Sequence, residues 1–263
     1  MLFRDEPWPE GTPGWVDLMV PDQAKAIAFY RGLLGWDVRP GGEDTGFYGM
    51  ATLRGRPVAG IGQAPPGQEP PAVWTTYLSV SDVDKTVAAI GEAGGQVVVP
   101  VTTVPGQGRM AIAVDPGGAA FGLWEPGGHQ GTQVMAGPGA LAWNECVSPD
   151  YPVAEAFYER VFGYGFEDET SGDLTYKALL ASGRPVGGIG ALPAGTPSSW
   201  RVYFWVADAD ASAARAAELG GRILGEPYES PEGRYVLLAD DQGAPFFVIA
   251  PTAQSGKPRG WDD

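Results

Sequence analysis

Two carboxylates stand 128 residues apart in matching surroundings, Asp17 in "GWVDLMVPD" and Glu145 in "AWNECVSPD". Each follows a tryptophan by two positions, Trp15 and Trp143. Alternate residues of an extended segment share a face, so each tryptophan and its carboxylate point the same way. Tyr48 and Tyr176 also correspond at 128, while Thr75 and Tyr77 answer to Arg201 and Tyr203 at 126. A carboxylate beside phenol hydroxyls can accept a hydrogen bond from a ligand, or act as a general base with tyrosine as the donor. On that reading Asp17, Glu145, Tyr48 and Tyr176 are the candidate catalytic residues. The binding surface adds Trp15, Thr75, Tyr77, Trp143, Arg201 and Tyr203. The competing reading is structural: each acid pairs with a nearby Arg or Tyr and only orients its strand, Glu145 with Arg201 above all.

The remaining chemistry-bearing residues divide the same way. Trp15 and Trp143 either stack on a flat ligand or plug the space between strands. Trp74 and Trp200 read as packing residues, and Arg109 and Arg234 as braces of nearby loops. His129, in a Gly-rich stretch, reads as a solvated loop residue. Cys146 alternates away from Glu145 and reads as a small core residue, with no His partner to activate it. "GRPVAGIG" and "GRPVGGIG" hold glycines without the GxGxxG or Walker spacing, so they are not phosphate cradles.

The elements that carry these residues repeat. "AFYRGLLGW" at 28–36 returns as "AFYERVFGY" at 156–164, and "GRPVAGIG" at 55–62 returns at 183–190. Val16, Leu18 and Val20 alternate with Trp15, Asp17 and Met19, which predicts a strand. Asp22 is placed to cap a following helix that ends near Gly35. Strands are then expected over "GFYGMATL" and "RPVAGIGQ". A second unit follows: "WTTYLSVSDVD", a helix with a glycine stop, "QVVVPVTTV", "RMAIAVDP" and "AAFGLWEP". The order is β-α-β-β-β, twice in each half. The expected layout is an N-terminal extension over 1–11, a domain over 12–126, a Gly-rich linker over 127–139, a second domain over 140–252 and a tail over 253–263.

Composition narrows the partners. With 32 acidic and 17 basic residues the formal charge is -15 and no Lys/Arg cluster appears, which argues against a nucleic-acid partner. A single cysteine excludes an intrachain disulfide and a thiolate metal cluster, and fits a reducing cytoplasm. The opening "MLFRDEPWPEGTPGW" has no basic segment followed by an apolar run, so neither a signal peptide nor a membrane partner is expected. A monomer or a homodimer fits equally.

The "PD" and "SD" helix starts, the "AFY…LGW" segment and the "DPGGAAFGLWEP" close resemble the vicinal oxygen chelate superfamily. That family includes glyoxalase I, extradiol dioxygenases and bleomycin-resistance proteins, and the tandem form is similar to two-domain actinobacterial members. The resemblance implies an α+β fold of four βαβββ units, forming two glyoxalase-like domains whose curved mixed sheets each surround a cleft. It also implies a divalent metal on inward-facing side chains, and places those ligands at Trp15, Thr75 and Gly122, and again at Trp143, Arg201 and Phe247. None of the six is an imidazole or a carboxylate, so no metal and no other cofactor is expected.

Four functions compete on this reading. The leading one is metal-independent binding of a small aromatic or amphipathic molecule in Trp/Tyr-lined clefts, with natural-product sequestration or resistance as the family analogy. The alternative is a metal-free tailoring enzyme, an isomerase, hydrolase or lyase, using Asp17 or Glu145. A metal-dependent glyoxalase or dioxygenase is opposed by the six substituted positions. An interaction protein whose sheets are filled with its own side chains is the fourth.

Overall fold

The computed structural model describes residues 1–65, 67, 72–172 and 174–252. The tail expected over 253–263, and much of the "APPGQEPPA" connection, lie outside the described residues. After β1 (Leu2–Phe3), the first half runs β2 (Pro13–Val20), α1 (Gln23–Leu34), β3 (Asp37–Arg39), β4 (Gly49–Leu53) and β5 (Arg56–Gln63). Its second unit is β6 (Val73–Ser79), α2 (Val83–Glu92), β7 (Gln96–Val104), β8 (Gly108–Val114) and β9 (Ala120–Pro126). Between the halves, β10 (Val134–Met135) pairs antiparallel with β1, tying the linker to the N-terminal extension. The second half repeats the order with β11 (Leu141–Ser148), α3 (Tyr151–Phe162), β12 (Gly165–Asp168), β13 (Tyr176–Ala181) and β14 (Arg184–Ala191). It ends with β15 (Ser199–Trp205), α4 (Ala209–Glu218), β16 (Arg222–Ile223), β17 (Tyr228–Glu229), β18 (Gly233–Ala239) and β19 (Pro245–Pro251).

Each half makes its own mixed sheet, in the order β3-β4-β5-β2-β6-β9-β8-β7 and β12-β13-β14-β11-β15-β19-β18-β16. The central pair, β2 with β6 and β11 with β15, is antiparallel, and each member is flanked by a parallel neighbour. The helices start and stop where their ends demand. Asp22, Asp82 and Asp208 each accept a hydrogen bond from the backbone N–H three residues on, which satisfies a donor that the helix leaves free. Gly35 and Gly163 close α1 and α3 in the left-handed conformation, at φ 73° and 67°, where a Cβ would be strained. Among the described residues no helix is long and apolar enough to cross a membrane.

The helical faces of the two sheets turn toward each other. Val16, Leu18 and Val20 of β2 pack with Phe29 and Tyr30 of α1, and into the same cluster come Val202, Phe204, Val236 and Phe246 of the second half. The other cluster joins Leu78, Phe121 and Leu123 of the first half to Phe157, Tyr158, Ile189 and Trp200 of the second. Each core therefore combines the first unit of one half with the second unit of the other. Two reciprocal bonds sit at the seam: Trp36 Nε1 donates to the Gly139 carbonyl at 2.7 Å, and the Tyr164 hydroxyl donates to the Gly11 carbonyl. Trp74 and Trp200 are packed in these cores, and Cys146 is fully buried there. The opposite face of each sheet is left to carry the candidate site.

Candidate functional site

Pairing register assembles the site. Asp17 on β2 lies between Gly60 of β5 and Thr75 of β6, and Glu145 on β11 lies between Gly188 of β14 and Arg201 of β15. Tyr48 leads into β4 and Tyr176 opens β13. A Cβ built on Gly60 would overlap the Tyr48 hydroxyl, and one on Gly188 would overlap that of Tyr176. The glycines of "GRPVAGIG" and "GRPVGGIG" thus let each tyrosine lie across the strand and reach the carboxylate beyond it.

The same wiring appears twice. Trp15 Nε1 donates to the Tyr48 hydroxyl at 3.0 Å, and Tyr48 and Tyr77 donate to Asp17 Oδ2 at 3.2 and 3.0 Å. Trp143 Nε1 donates to the Tyr176 hydroxyl at 2.8 Å, and the Tyr203 hydroxyl donates to Glu145 Oε1 at 2.6 Å. Burial first, and the adjacent carboxylate second, hold all four phenols protonated, well above the ordinary tyrosine range.

The two cups then diverge. In the first, Asp17 Oδ1 is buried and has no hydrogen-bond partner among the described residues. Desolvation pushes the Asp17 pKa up to about 7, against the opposing pull of the Tyr77 and Tyr48 bonds. Thr75 faces it, so no positive charge offsets the burial. In the second cup Arg201 replaces Thr75, and its Nη1 lies 3.3 Å from Glu145 Oε1. The pairing of Glu145 with Arg201 expected from the sequence is present.

His129 is not the solvated loop residue that its Gly-rich neighbourhood suggests. Its ring meets Trp15 edge-on at 4.3 Å and Trp124 at 5.5 Å. Burial lowers its pKa to about 4, so the ring is neutral, and its Nε2 is buried. The linker is strapped over the first cup by Trp124 Nε1 donating to the His129 carbonyl and Thr132 N–H donating to the Gly14 carbonyl. Trp15, Tyr77 and Trp124 form a buried cluster beneath it, padded by Met50, Met110 and Ile112. The first cup is closed by its own side chains.

The second cup keeps its aromatic lining half-buried. Trp143, Tyr176, Arg201, Trp205 and Tyr235 are all partly exposed, and Tyr228 on β17 is exposed at the lip. Tyr228 stacks on Tyr235 at 5.0 Å, Tyr235 meets Tyr203 edge-on at 5.8 Å, and Tyr203 stacks on Phe247 at 4.5 Å. Burial, then the Glu145 charge, raise the Tyr228 pKa to about 12. Sequence reading missed Tyr228, Tyr235 and Trp205. Tyr228 stands on a two-residue strand without periodicity, although its type and its place near the end of the repeat were there to be read. A cavity of about 300 Å³ lies outside both cups, between the end of α1 and the start of α4, beside Leu34, Gly139 and Arg215.

These residues do not fit a divalent metal. Each cup offers one carboxylate, already engaged by tyrosines, and the other positions implied for ligands hold Trp, Thr, Gly, Arg and Phe. Gly122 leaves the space that the Tyr77 ring fills, and in the second half Phe247 fills the equivalent place itself. No group of three His, Cys, Asp or Glu side chains converges among the described residues.

Comparison with known proteins agrees with this architecture. A model of the Glyoxalase/Bleomycin resistance protein/Dioxygenase superfamily matches residues 12–123, and a Glyoxalase-like domain model matches residues 145–249. The protein CFP32 of Mycobacterium tuberculosis, which bears a glyoxylase name, is 43% identical over 252 residues, covering 93% of this chain and 97% of its own. The anthracycline biosynthesis protein DnrV of Streptomyces peucetius is 35% identical over 259 residues, covering 91% and 93%. Among solved structures, the Mn(II)-bound glyoxalase from Novosphingobium aromaticivorans has a TM-score of 0.64 at 20% identity, covering 91% of this chain and 82% of that one. The 2,3-dioxygenase LapB from Pseudomonas sp. KL28 has a TM-score of 0.65 at 15% identity, covering 92% and 93%. At those identities the two structures establish shared fold alone.

Proposed function

Since this chain belongs to the glyoxalase/bleomycin resistance protein/dioxygenase superfamily, we propose that its second cup binds a small planar aromatic molecule without a metal ion. The observation that carries the reading is the difference between the cups. His129 and Trp124 shut the first, while the second presents the Glu145–Arg201 pair among half-exposed Trp143, Tyr176, Trp205, Tyr228 and Tyr235. Stacked and edge-on rings of this kind offer a flat ligand large contact area at low entropic cost. A relative named for anthracycline biosynthesis supports a polycyclic aromatic ligand.

The test is titration of tryptophan fluorescence with a panel of planar aromatic compounds, before and after dialysis against a chelator. Saturable quenching that Trp143→Phe diminishes and chelation leaves unchanged is expected. Silence across the panel would sink the reading. So would stoichiometric Fe, Mn, Ni or Zn in protein purified without chelator, together with loss of binding once it is removed.

One observation favours proton-transfer chemistry as a second reading. The pKa of Asp17, near neutrality, suits a general base. That carboxylate lies in the closed cup, however, and turnover that survived Asp17→Asn and Glu145→Gln would remove this reading.

A further inference from the structure

We infer that Arg201 supplies, through its guanidinium, the positive centre of the second cup. On this inference the ligand is an aromatic bearing an acceptor oxygen, a carbonyl or phenolate, on its ring edge. The inference rests on the reading of the second cup as an aromatic site and deepens it. It begins from a disagreement: the fold implies a cation at this face of the sheet, and the side chains present cannot hold one. A permanent cation is nonetheless there, on the residue that replaces Thr75.

Arg201 is fixed on two sides. Nη1 bonds to Glu145 Oε1 at 3.3 Å, and Cζ lies 5.6 Å above the Phe247 ring, which is itself stacked on Tyr203. The bond to Glu145 is the one hydrogen bond that the Arg201 guanidinium makes among the described residues, and the side chain is 32% exposed. A guanidinium has five N–H donors in a rigid plane, so the groups not aimed at Glu145 remain for an oxygen entering the cup. Pinning by a carboxylate and a ring pre-orders that edge, so little side-chain entropy is lost when it is used. Tyr228 at the lip lies within the fields of both Glu145 and Arg201, which places an aromatic wall beside the charge. The first cup has none of this: Thr75 carries no charge and His129 is neutral.

Because the pair is neutral as a whole, the cup does not demand an anion. It rewards an acceptor oxygen next to a flat ring, and a bare hydrocarbon of the same shape gains only the stacking.

The test compares 9-fluorenone with fluorene, planar molecules that differ in one carbonyl, by equilibrium dialysis against the full chain with and without EDTA. A hydrogen bond to a charged donor in a sheltered site predicts fluorenone binding about ten-fold more tightly. Arg201→Met should bring the two affinities together, the ratio between them being the readout. Arg201→Lys keeps the charge without the fork and should fall between. Melting curves check the fold, and Glu145→Gln/Arg201→Met, which removes both charges together, replaces the single variant if that fails to fold. Equal affinities in the unaltered protein, a preference that survives Arg201→Met, or a preference that EDTA abolishes would each overturn the inference while the aromatic site stands. Binding of neither compound would overturn both.

Discussion

The Tyr30 hydroxyl donates a 3.0 Å hydrogen bond to Asp240 Oδ2 in the other half of the chain, and Tyr158 returns the bond to Asp115 Oδ2 at 3.2 Å. Each phenol also accepts from an indole, Trp74 Nε1 at 3.0 Å and Trp200 Nε1 at 2.8 Å. Both carboxylates are buried at the turn before the last strand of a half and also accept a turn N–H, from Ala119 and Ala244. The "AFY" motif therefore does more than seat a helix on its own sheet. It locks the first unit of one half to the second unit of the other, and the chain closes on itself as a dimer would.

Tyr30→Phe should destabilise the protein by about 1–3 kcal/mol, because the ring still packs while a buried carboxylate oxygen and an indole N–H lose their partner. Tyr158→Phe should behave alike. The two sites lie in different clusters, so the double variant should show near-additive losses in urea unfolding.

A fragment of residues 1–137 should not yield a cooperatively folding monomer. It would expose Val16, Leu18 and Phe29 on one side and Phe121 and Leu123 on the other, with the covering residues removed. Light scattering should find it self-associated or unfolded, and co-expression with residues 138–263 should restore a soluble complex. A stable monomeric fragment with a sharp thermal transition would contradict the shared cores.

Gly60→Ala should be costlier while Tyr48 is present, since the added Cβ overlaps the Tyr48 hydroxyl, while its close approach to Asp17 Cβ stays in either background. Displacing that hydroxyl removes a bond from Asp17 Oδ2 and the acceptor of Trp15 Nε1. A loss of about 1–3 kcal/mol is expected in the unaltered background, shrinking clearly in a Tyr48→Ala background. Equal costs in both would show that the glycine answers some other need.

Much of this is legible in the sequence itself. Alternation placed Trp15 with Asp17 and Trp143 with Glu145, offsets matched Tyr48 to Tyr176, and Asp22 and Gly35 marked the ends of the first helix. Those are local signals of backbone period and end chemistry. What stayed hidden depends on long-range choice. The apolar face of β2 carries no mark of whether it packs on its own half or across to Phe204 and Val236. His129 sits among glycines that report a loop, while the bonds that lay that loop over the first cup connect it to Gly14 and Trp124. The difference between the cups, with one carboxylate unpaired and the other held by Arg201, follows from that strap and from a Thr-to-Arg exchange whose meaning needs both neighbours in view.

The strap and the carboxylate beneath it set opposing pH dependences. Asp17 titrates near pH 7 in the folded protein and near 4 unfolded, so stability falls as pH rises through that window, by up to about 4 kcal/mol in all. His129 titrates near 4 folded and near 6.5 unfolded, so stability falls as pH drops through its own window, by about 3 kcal/mol. Between about pH 4 and 6.5 the two slopes, each about 1.4 kcal/mol per pH unit, cancel. The free energy of unfolding of Asp17→Asn, minus that of the unaltered protein, should therefore grow steadily from pH 4 to 7. The same difference for His129→Phe should instead grow as pH falls below 6.5. Differences against one parent remove the contributions of every other titrating group, so chemical denaturation at four or five pH values is sufficient. If the Asp17→Asn difference stays flat across the window, the buried carboxylate is not the neutral-pH titrating group that its unpaired Oδ1 and the closed first cup require.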